Sequence, residues 1–311
     1  MPTTRFEVTV PGGCWIELCD PTREERAEVE QRYGVAIPDL DALSEIESSS
    51  RLRREDKALV MSAPLLAGGG EEPFRLIPTG FILLPEALIT VHYGKDRALR
   101  AVAETVKPHE EATPAALFAR LLEHVVDHAA DQLEAVAAEA TSVSHEIFYT
   151  DLEKRGLKRE TALLGRSILR LGRASERASR VRYMFLSIGR MAKFVVDHAE
   201  EGLDAKARRR LQSVGHDIAS LDEFEISLSG RIQFLLDAAT SLVGIRQNDV
   251  VGLLTVASVI GIPPVLVVGV YGMNFHVMPE LSWPWGYPFA LGLCVLSGAL
   301  PYLWFKWRKW V

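Results

Sequence analysis

The apolar positions of this chain follow three patterns in turn. In the first hundred residues they form short, partly β-branched runs that predict strands at Trp15–Cys19, Ala58–Leu66, Phe74–Leu76, Gly80–Leu84 and Leu88–Tyr93. Gly68-Gly69-Gly70, Pro78 and Pro85 punctuate them. Asp20-Pro21 supplies an N-cap followed by proline at the first helical position, opening a helix that Gly34 closes, and Asp39–Ile46 reads as a second short helix. Together these elements predict a small sheet packed against helices.

After Pro114 the apolar residues recur at intervals of three and four, and proline almost disappears until Pro263. The pattern predicts three long helices, 114–148, 157–199 and 205–271, with breaks at Thr150–Gly156 and Glu201–Asp204. The last pattern is apolar without interruption. Val250–Tyr271 is 22 residues without a charge and Tyr287–Phe305 is 19 more. At about 1.5 Å per residue each crosses a hydrocarbon core of about 30 Å. Both lie after residue 249, so a cleavable N-terminal signal does not explain them. No turn signal separates the charged part of the third long helix from the first uncharged run, so one helix leaves the cytoplasmic part and becomes the first membrane span. The fold class is therefore α+β, with a cytoplasmic α/β domain over 1–113, long helices over 114–249 and two membrane helices over 250–311.

Charge fixes the orientation. The connection Gly272–Gly286 has no Lys or Arg, whereas Lys306, Arg308 and Lys309 follow the second run and Arg246 precedes the first, which orients both termini to the cytoplasm. The membrane expected to be spanned is the cell inner membrane. Trp283, Trp285, Tyr287, Tyr302, Trp304, Trp307 and Trp310 gather where the two interfaces fall. The net charge of −6 argues against a nucleic-acid partner. Cys14, Cys19 and Cys294 lack metal-binding spacing and read as packing residues.

Read at heptad spacing, the first membrane helix places Asn248, Val251, Thr255, Ser258, Ile262, Val265, Gly269 and Gly272 on one face. The stripe mixes polar, small and apolar residues without a charge, and suits either a helix packing face or the wall of a path for an ion that keeps its waters. Magnesium dehydrates reluctantly and fits the second case. Pro263 and Pro264 free backbone carbonyls near Val259 and Ile260, which at membrane depth need protein or pore water as partners. Two helices cannot enclose an aqueous path, so a channel built from this chain is a homo-oligomer, with the bilayer as its other partner. Asp217, Asp222, Glu223 and Glu225, with His216 beside them, offer the oxygen ligands that magnesium prefers and are candidate sensor residues. His124 and His128 sit four apart beside Glu123, Asp127 and Asp131, a partial match to a zinc site that reads more simply as a solvated helix face.

The connection between the two membrane runs carries the most specific signal. Tyr271-Gly272-Met273-Asn274-Phe275 followed by Met278-Pro279-Glu280-Leu281 resembles the loop of the CorA-type magnesium and cobalt transport family. Gln247-Asn248, Leu254-Thr255-Val256, Pro263 and the WGYP of Trp285–Pro288 fit the same resemblance, which extends more weakly to Trp15–Glu25, Ala87–Tyr93 and the helix around His124–Glu134. The resemblance implies a homopentameric funnel whose first membrane helices line the pore. In it, Gly272, Met273 and Asn274 form the outer mouth beside the loop residues Met278, Pro279 and Glu280. Asn248 is a polar ring, Val251, Leu254 and Ile262 are hydrophobic constrictions, and Asp237 is an acidic ring below. Val265 stands where many members have Thr, and Gly252 where they often have Lys.

The function expected is passive, gated movement of Mg2+, with Co2+ and Ni2+ as further candidates, and with Mg2+ also the regulatory ligand. No GxxxxGK[ST] loop and no acidic residue within either run offers a seat for ATP or an intramembrane proton relay, and no organic cofactor is expected. No nucleophile and base pair argues for an enzyme. The alternatives are a zinc or nickel transporter of the same superfamily, for which His276 is a borderline ligand, and a non-conducting, membrane-anchored regulatory protein.

Overall fold

The computed structural model describes residues 5–45, 51–69, 72–94, 113–149, 157–199, 203–274 and 278–308. Six strands, β1 (Arg5–Val10), β2 (Gly13–Cys19), β3 (Leu52–Glu55), β4 (Ala58–Gly69), β5 (Glu72–Leu83) and β6 (Ala87–His92), form one sheet in the order β1-β2-β6-β5-β4-β3. Only the β2 and β6 pair is parallel among these neighbours. All six residues of β6 are buried, as befits a central strand covered on both faces. On one face Ile16, Leu18, Ile82, Ile89 and Val91 pack with Val29 of helix α1 (Arg23–Tyr33) and Leu43 of helix α2 (Leu40–Ser44). On the other, Phe81 meets Phe118 of helix α3 (Pro114–Phe148) edge to face at 5.8 Å. Trp15 is fully buried and its indole N–H donates to the Thr90 hydroxyl at 3.1 Å, so the largest side chain leaves no unpaired donor.

Two local expectations change. Helix α1 is capped by Thr22, not Asp20: the Thr22 hydroxyl accepts from the Glu25 N–H and the Glu25 carboxylate accepts from the Thr22 N–H, a reciprocal capping box. Asp20 is engaged elsewhere, at a positive φ of 48°, with its carboxylate accepting from the Gly94 N–H at 2.8 Å. Gly34 closes the helix in the left-handed conformation, as its position suggested. Pro78 does not break a strand. It pairs with Pro64 across β4 and β5. The β3 ladder reaches only Met61 and the β6 ladder only Thr79, so neither proline withholds an N–H from an outer neighbour.

The three long helices keep the extents that the periodicity predicts: α3, then α4 (Leu157–His198), then α5 (Ala205–Tyr271). The break expected at Thr150–Gly156 and part of that at Glu201–Asp204 lie outside the described residues. A last helix, α6, spans Gly286–Trp307. Arg170 of α4 ties α3 through Glu139 at 2.6 Å and Glu146 at 2.5 Å. The chain divides into two compact units, one of Met1–Thr150 with Arg166–Asp237, the other of Asp151–Gly165 with Ala238–Val311. The second unit therefore takes the distal part of α5, all of α6 and the short beginning of α4.

Candidate functional site

In the second unit, α5 offers two opposed faces. Val256, Ile260, Pro263, Pro264, Val267 and Tyr271 are half-buried and recur at intervals of three and four, so they form one stripe. On α6 the half-buried or buried residues include Cys294, Ser297, Gly298, Pro301 and Phe305, at the same intervals. The stripes meet where Gly298 lies under Pro264: a Cβ at Gly298 would stand 3.2 Å from Pro264 Cγ and 3.5 Å from the Ile260 carbonyl oxygen. Cys294 Sγ faces the Pro264 carbonyl at 3.9 Å. The di-proline step thus sits against the small residues of α6, and α5 continues through it as one 67-residue helix.

At about 100° per residue, the residues Asn248, Val251, Thr255, Ser258, Ile262, Val265, Gly269 and Gly272 fall roughly half a turn away from that packing stripe. All eight are exposed in the single chain, as is Leu254 beside them. Val251 is 59% exposed, Leu254 63% and Val265 71%, values that an apolar side chain in a finished soluble surface seldom reaches in such a row. Thr255 and Ser258 donate their hydroxyl protons to the Val251 and Leu254 carbonyls, each at 2.8 Å. Their oxygens are left as acceptors toward whatever lies against this face. Counted back along the same helix, the 3-4 spacing reaches Ser241, Asp237, Phe234, Gly230, Ser227 and Glu223, and every one is exposed. Asp237 accepts from the Gln233 amide at 3.0 Å.

Helix α5 ends in a short turn in which the Gly272 N–H donates to the Val268 carbonyl at 2.9 Å and the Met273 N–H to the Val270 carbonyl at 3.3 Å. Gly272, Met273 and Asn274 are exposed at this end. Phe275, His276 and Val277 lie outside the described residues. After Met278 a 3-10 turn, Pro279–Ser282, carries Glu280 and leads into α6. Gly286 is required there, because a Cβ would come within 2.2 Å of the Glu280 carbonyl oxygen.

The candidate sensor acids are not brought together within the single chain. Asp217 and Glu223 are exposed, whereas Asp222 and Glu225 turn toward α4 and bracket Arg182, with Nε to Asp222 at 3.1 Å and Nη1 to Glu225 at 3.5 Å. Glu225 is only 1% exposed and also accepts from the Ser229 hydroxyl at 2.7 Å. Helix geometry separates the four, and the guanidinium already supplies the positive charge that two of them need. Among the described residues no group of three or more His, Cys, Asp or Glu side chains is placed to hold a metal ion, and His124 bonds the Arg120 carbonyl of its own helix at 3.2 Å. Sequence reasoning missed Arg182, and also Glu160, which is buried and paired with Arg246 at 2.7 Å. No local pattern marks either pair, since the partners come from different helices.

The family of the CorA-like Mg2+ transporter protein matches residues 11–307, which covers both compact units and both apolar helices. The chain belongs to that family. A magnesium transport protein CorA from Pasteurella multocida is 28% identical over 305 residues, covering 96% of this chain and 92% of the relative. The CorA of Escherichia coli K12 is 27% identical over 314 residues, covering 99% and 96%. Among solved structures, the complete CorA magnesium transporter from Methanocaldococcus jannaschii superposes with a TM-score of 0.72 at 19% identity, covering 96% of this chain and 92% of that one. At that identity the structural likeness establishes the fold. CorA-family membership also fits the two exposed apolar helices, each long enough to cross a membrane.

Proposed function

We propose that the chain is one subunit of a closed homo-oligomeric channel, of five copies in a funnel, that passes Mg2+ as a hydrated ion through the inner membrane with both termini in the cytoplasm. The observation that carries this reading is the exposed stripe of α5, opposite the face that α6 covers. Among the described residues, nothing in the chain buries the stripe of Asn248, Val251, Thr255, Ser258, Ile262, Val265, Gly269 and Gly272. Arranged about an axis, it becomes a wall whose hydroxyl oxygens accept from the waters of a hydrated cation, because Thr255 and Ser258 have donated their protons backwards. Val251, Leu254 and Ile262 form constrictions that dewet and close, and Asn248 and Asp237 supply polar and acidic rings on the cytoplasmic side. At the outer mouth Gly272, Met273 and Asn274 present amide and carbonyl oxygens to the incoming ion, with Met278, Pro279 and Glu280 shaping the loop.

An inside-negative potential contributes about 2.3 kcal/mol per charge per 100 mV, doubled for a dication, which suffices to drive uptake. Mg2+ is in this reading both cargo and regulator, bound between copies. Glu223 and Asp217, which remain exposed, are the better placed of the four acids for that task, and Asp222 and Glu225 act through Arg182 to hold α4 on α5. Uptake of Mg2+, Co2+, Ni2+ and Zn2+ into proteoliposomes, with and without internal Mg2+, tests the proposal. Mg2+ entry that internal Mg2+ suppresses supports it. Flux of Zn2+ in preference to Mg2+ would assign the zinc branch, and no flux at all would leave a regulatory membrane protein. Native mass spectrometry showing only monomers would overturn the closed ring.

A further inference from the structure

Glu160 is 4% exposed, at the start of α4. Its carboxylate accepts from Arg246 Nε at 2.7 Å, and Arg246 Nη1 reaches Asp249 at 3.2 Å, so both edges of the guanidinium are engaged. Arg246 lies two residues before Asn248 and five before Val251, about 7.5 Å along the helix axis from the latter. At about 100° per residue it stands some 200° around from Asn248, on the side of α5 away from the exposed stripe. Both members of the pair lie in the second compact unit, which takes the beginning of α4 together with distal α5.

We propose that the Glu160–Arg246 pair is a clamp that grips α5 from behind at the level just below the constriction and so transmits the position of α4 to Val251 and Leu254. The proposal rests on the reading of α5 as the pore helix. A rotation or tilt of α5 that widened the ring at Val251 has to carry Arg246 away from Glu160 or draw α4 with it. Separation is resisted because it leaves a buried carboxylate without its counterion. Helix α4 continues unbroken to His198 in the cytoplasmic unit, so what α4 senses there reaches the constriction through this contact. Glu160 and Arg246 are positioning residues: neither lies on the exposed stripe, and neither is expected to touch the ion.

The test uses the full-length protein in proteoliposomes. Arg246→Gln and Glu160→Ala should each raise the internal Mg2+ needed for half-inhibition of uptake by at least about fivefold, the lower end of ordinary coupling energies. The double variant should shift it no further than the stronger single, because both act through one contact. Arg246→Lys, which keeps the charge but not the forked geometry, should fall between. General destabilisation would instead give effects that multiply. A second readout does not need transport: spin labels at Ser241→Cys report distances between copies. In the presence of Mg2+ the distribution should be narrow in the labelled parent and broad in Arg246→Gln. Unchanged half-inhibition together with unchanged distances, or single effects that multiply in the double variant, would overturn the clamp. If the parent carries no Mg2+ at all, the transport reading fails, and the Ser241 distances alone decide the clamp.

Discussion

The sheet domain and the membrane hairpin treat apolar side chains in opposite ways. In the sheet, Trp15, Ile16, Leu18, Phe81, Ile89 and Val91 are fully buried by their own chain. In the hairpin, Val251, Leu253, Leu254, Val265 and Val295 are each more than half exposed, although α5 and α6 pack along one stripe. The first region completes its own core. The second does not: one side of each helix is left apolar and open, and under the proposed function lipid covers part of that surface and further copies of the chain cover the face of α5 opposite α6. Substitutions should therefore act on stability in the sheet and along the packed stripe of α5 and α6, and on transport or assembly along the open face of α5.

The largest effect that would sharpen this contrast is at the outer mouth. Asn274→Ala and Gly272→Ala should each abolish Mg2+ flux while leaving the oligomer and its thermal unfolding unchanged, measured by uptake and by native mass spectrometry on the same preparations. Normal conduction in both would break the assignment of the mouth. Next is Phe81→Ala, which empties a site fully enclosed between β5 and Phe118 of α3 and should cost about 3–5 kcal/mol, read from denaturant unfolding. A cost below about 1 kcal/mol would mean that the sheet does not rely on this contact.

A smaller effect is expected within the hairpin. Gly298→Val places a side chain against Pro264 and the Ile260 carbonyl and should destabilise the α5 and α6 pair by about 1–3 kcal/mol in detergent, whereas Val295→Ala on the exposed side should be near neutral. Equal effects at the two positions would show that the pairing face has been misassigned. The smallest effect concerns α3 and α4. The hydrogen bond from Arg170 holds the Glu139 carboxyl below the usual carboxylate range. Its folded pKa is depressed, so its stabilisation is complete above the unfolded pKa and is lost as pH falls through the lowered folded value. Glu139→Gln should lower the unfolding midpoint at pH 7 by the equivalent of a few tenths of a kcal/mol, because the pair is partly exposed. The difference from the parent should shrink toward zero as the pH drops below the carboxylate range. A difference that persists at low pH would assign the loss to packing.

Much of the architecture is legible in the order of residues alone. Helices of 35, 42 and 67 residues repeat their 3.6 period often enough that their extents emerged within a residue or two. Strands carry fewer repeats. β1 and β3 escaped notice because they are edge strands, and β3, with Arg53, Arg54 and Glu55, is charged and largely exposed, which guards an edge but erases the apolar signal. Pro78 has the signature of a breaker, because nothing local marks that it faces Pro64 where the sheet is two strands wide. The exposed stripe of α5 was recognisable by counting, whereas the division of the four acids was not, since it depends on Arg182 from another helix.

By itself the sequence determined what depends on neighbours along the chain: the long helices, the continuity of α5 into an uncharged run, the glycine that closes α1, the membrane character of the last sixty residues and the loop motif that signals the family. Periodicity, capping and transfer from water act locally, so they leave marks at fixed spacing. Tertiary structure alone decided which face of α5 is covered and which is left open, which carboxylates are paired with a guanidinium, and where the start of α4 meets α5 just before its uncharged run. Glu160 and Arg246 are 86 positions apart, and a contact across that distance leaves no periodic trace in either segment. It exists because two helices, each stable in its own pattern, bring a buried carboxylate and a guanidinium to within 2.7 Å.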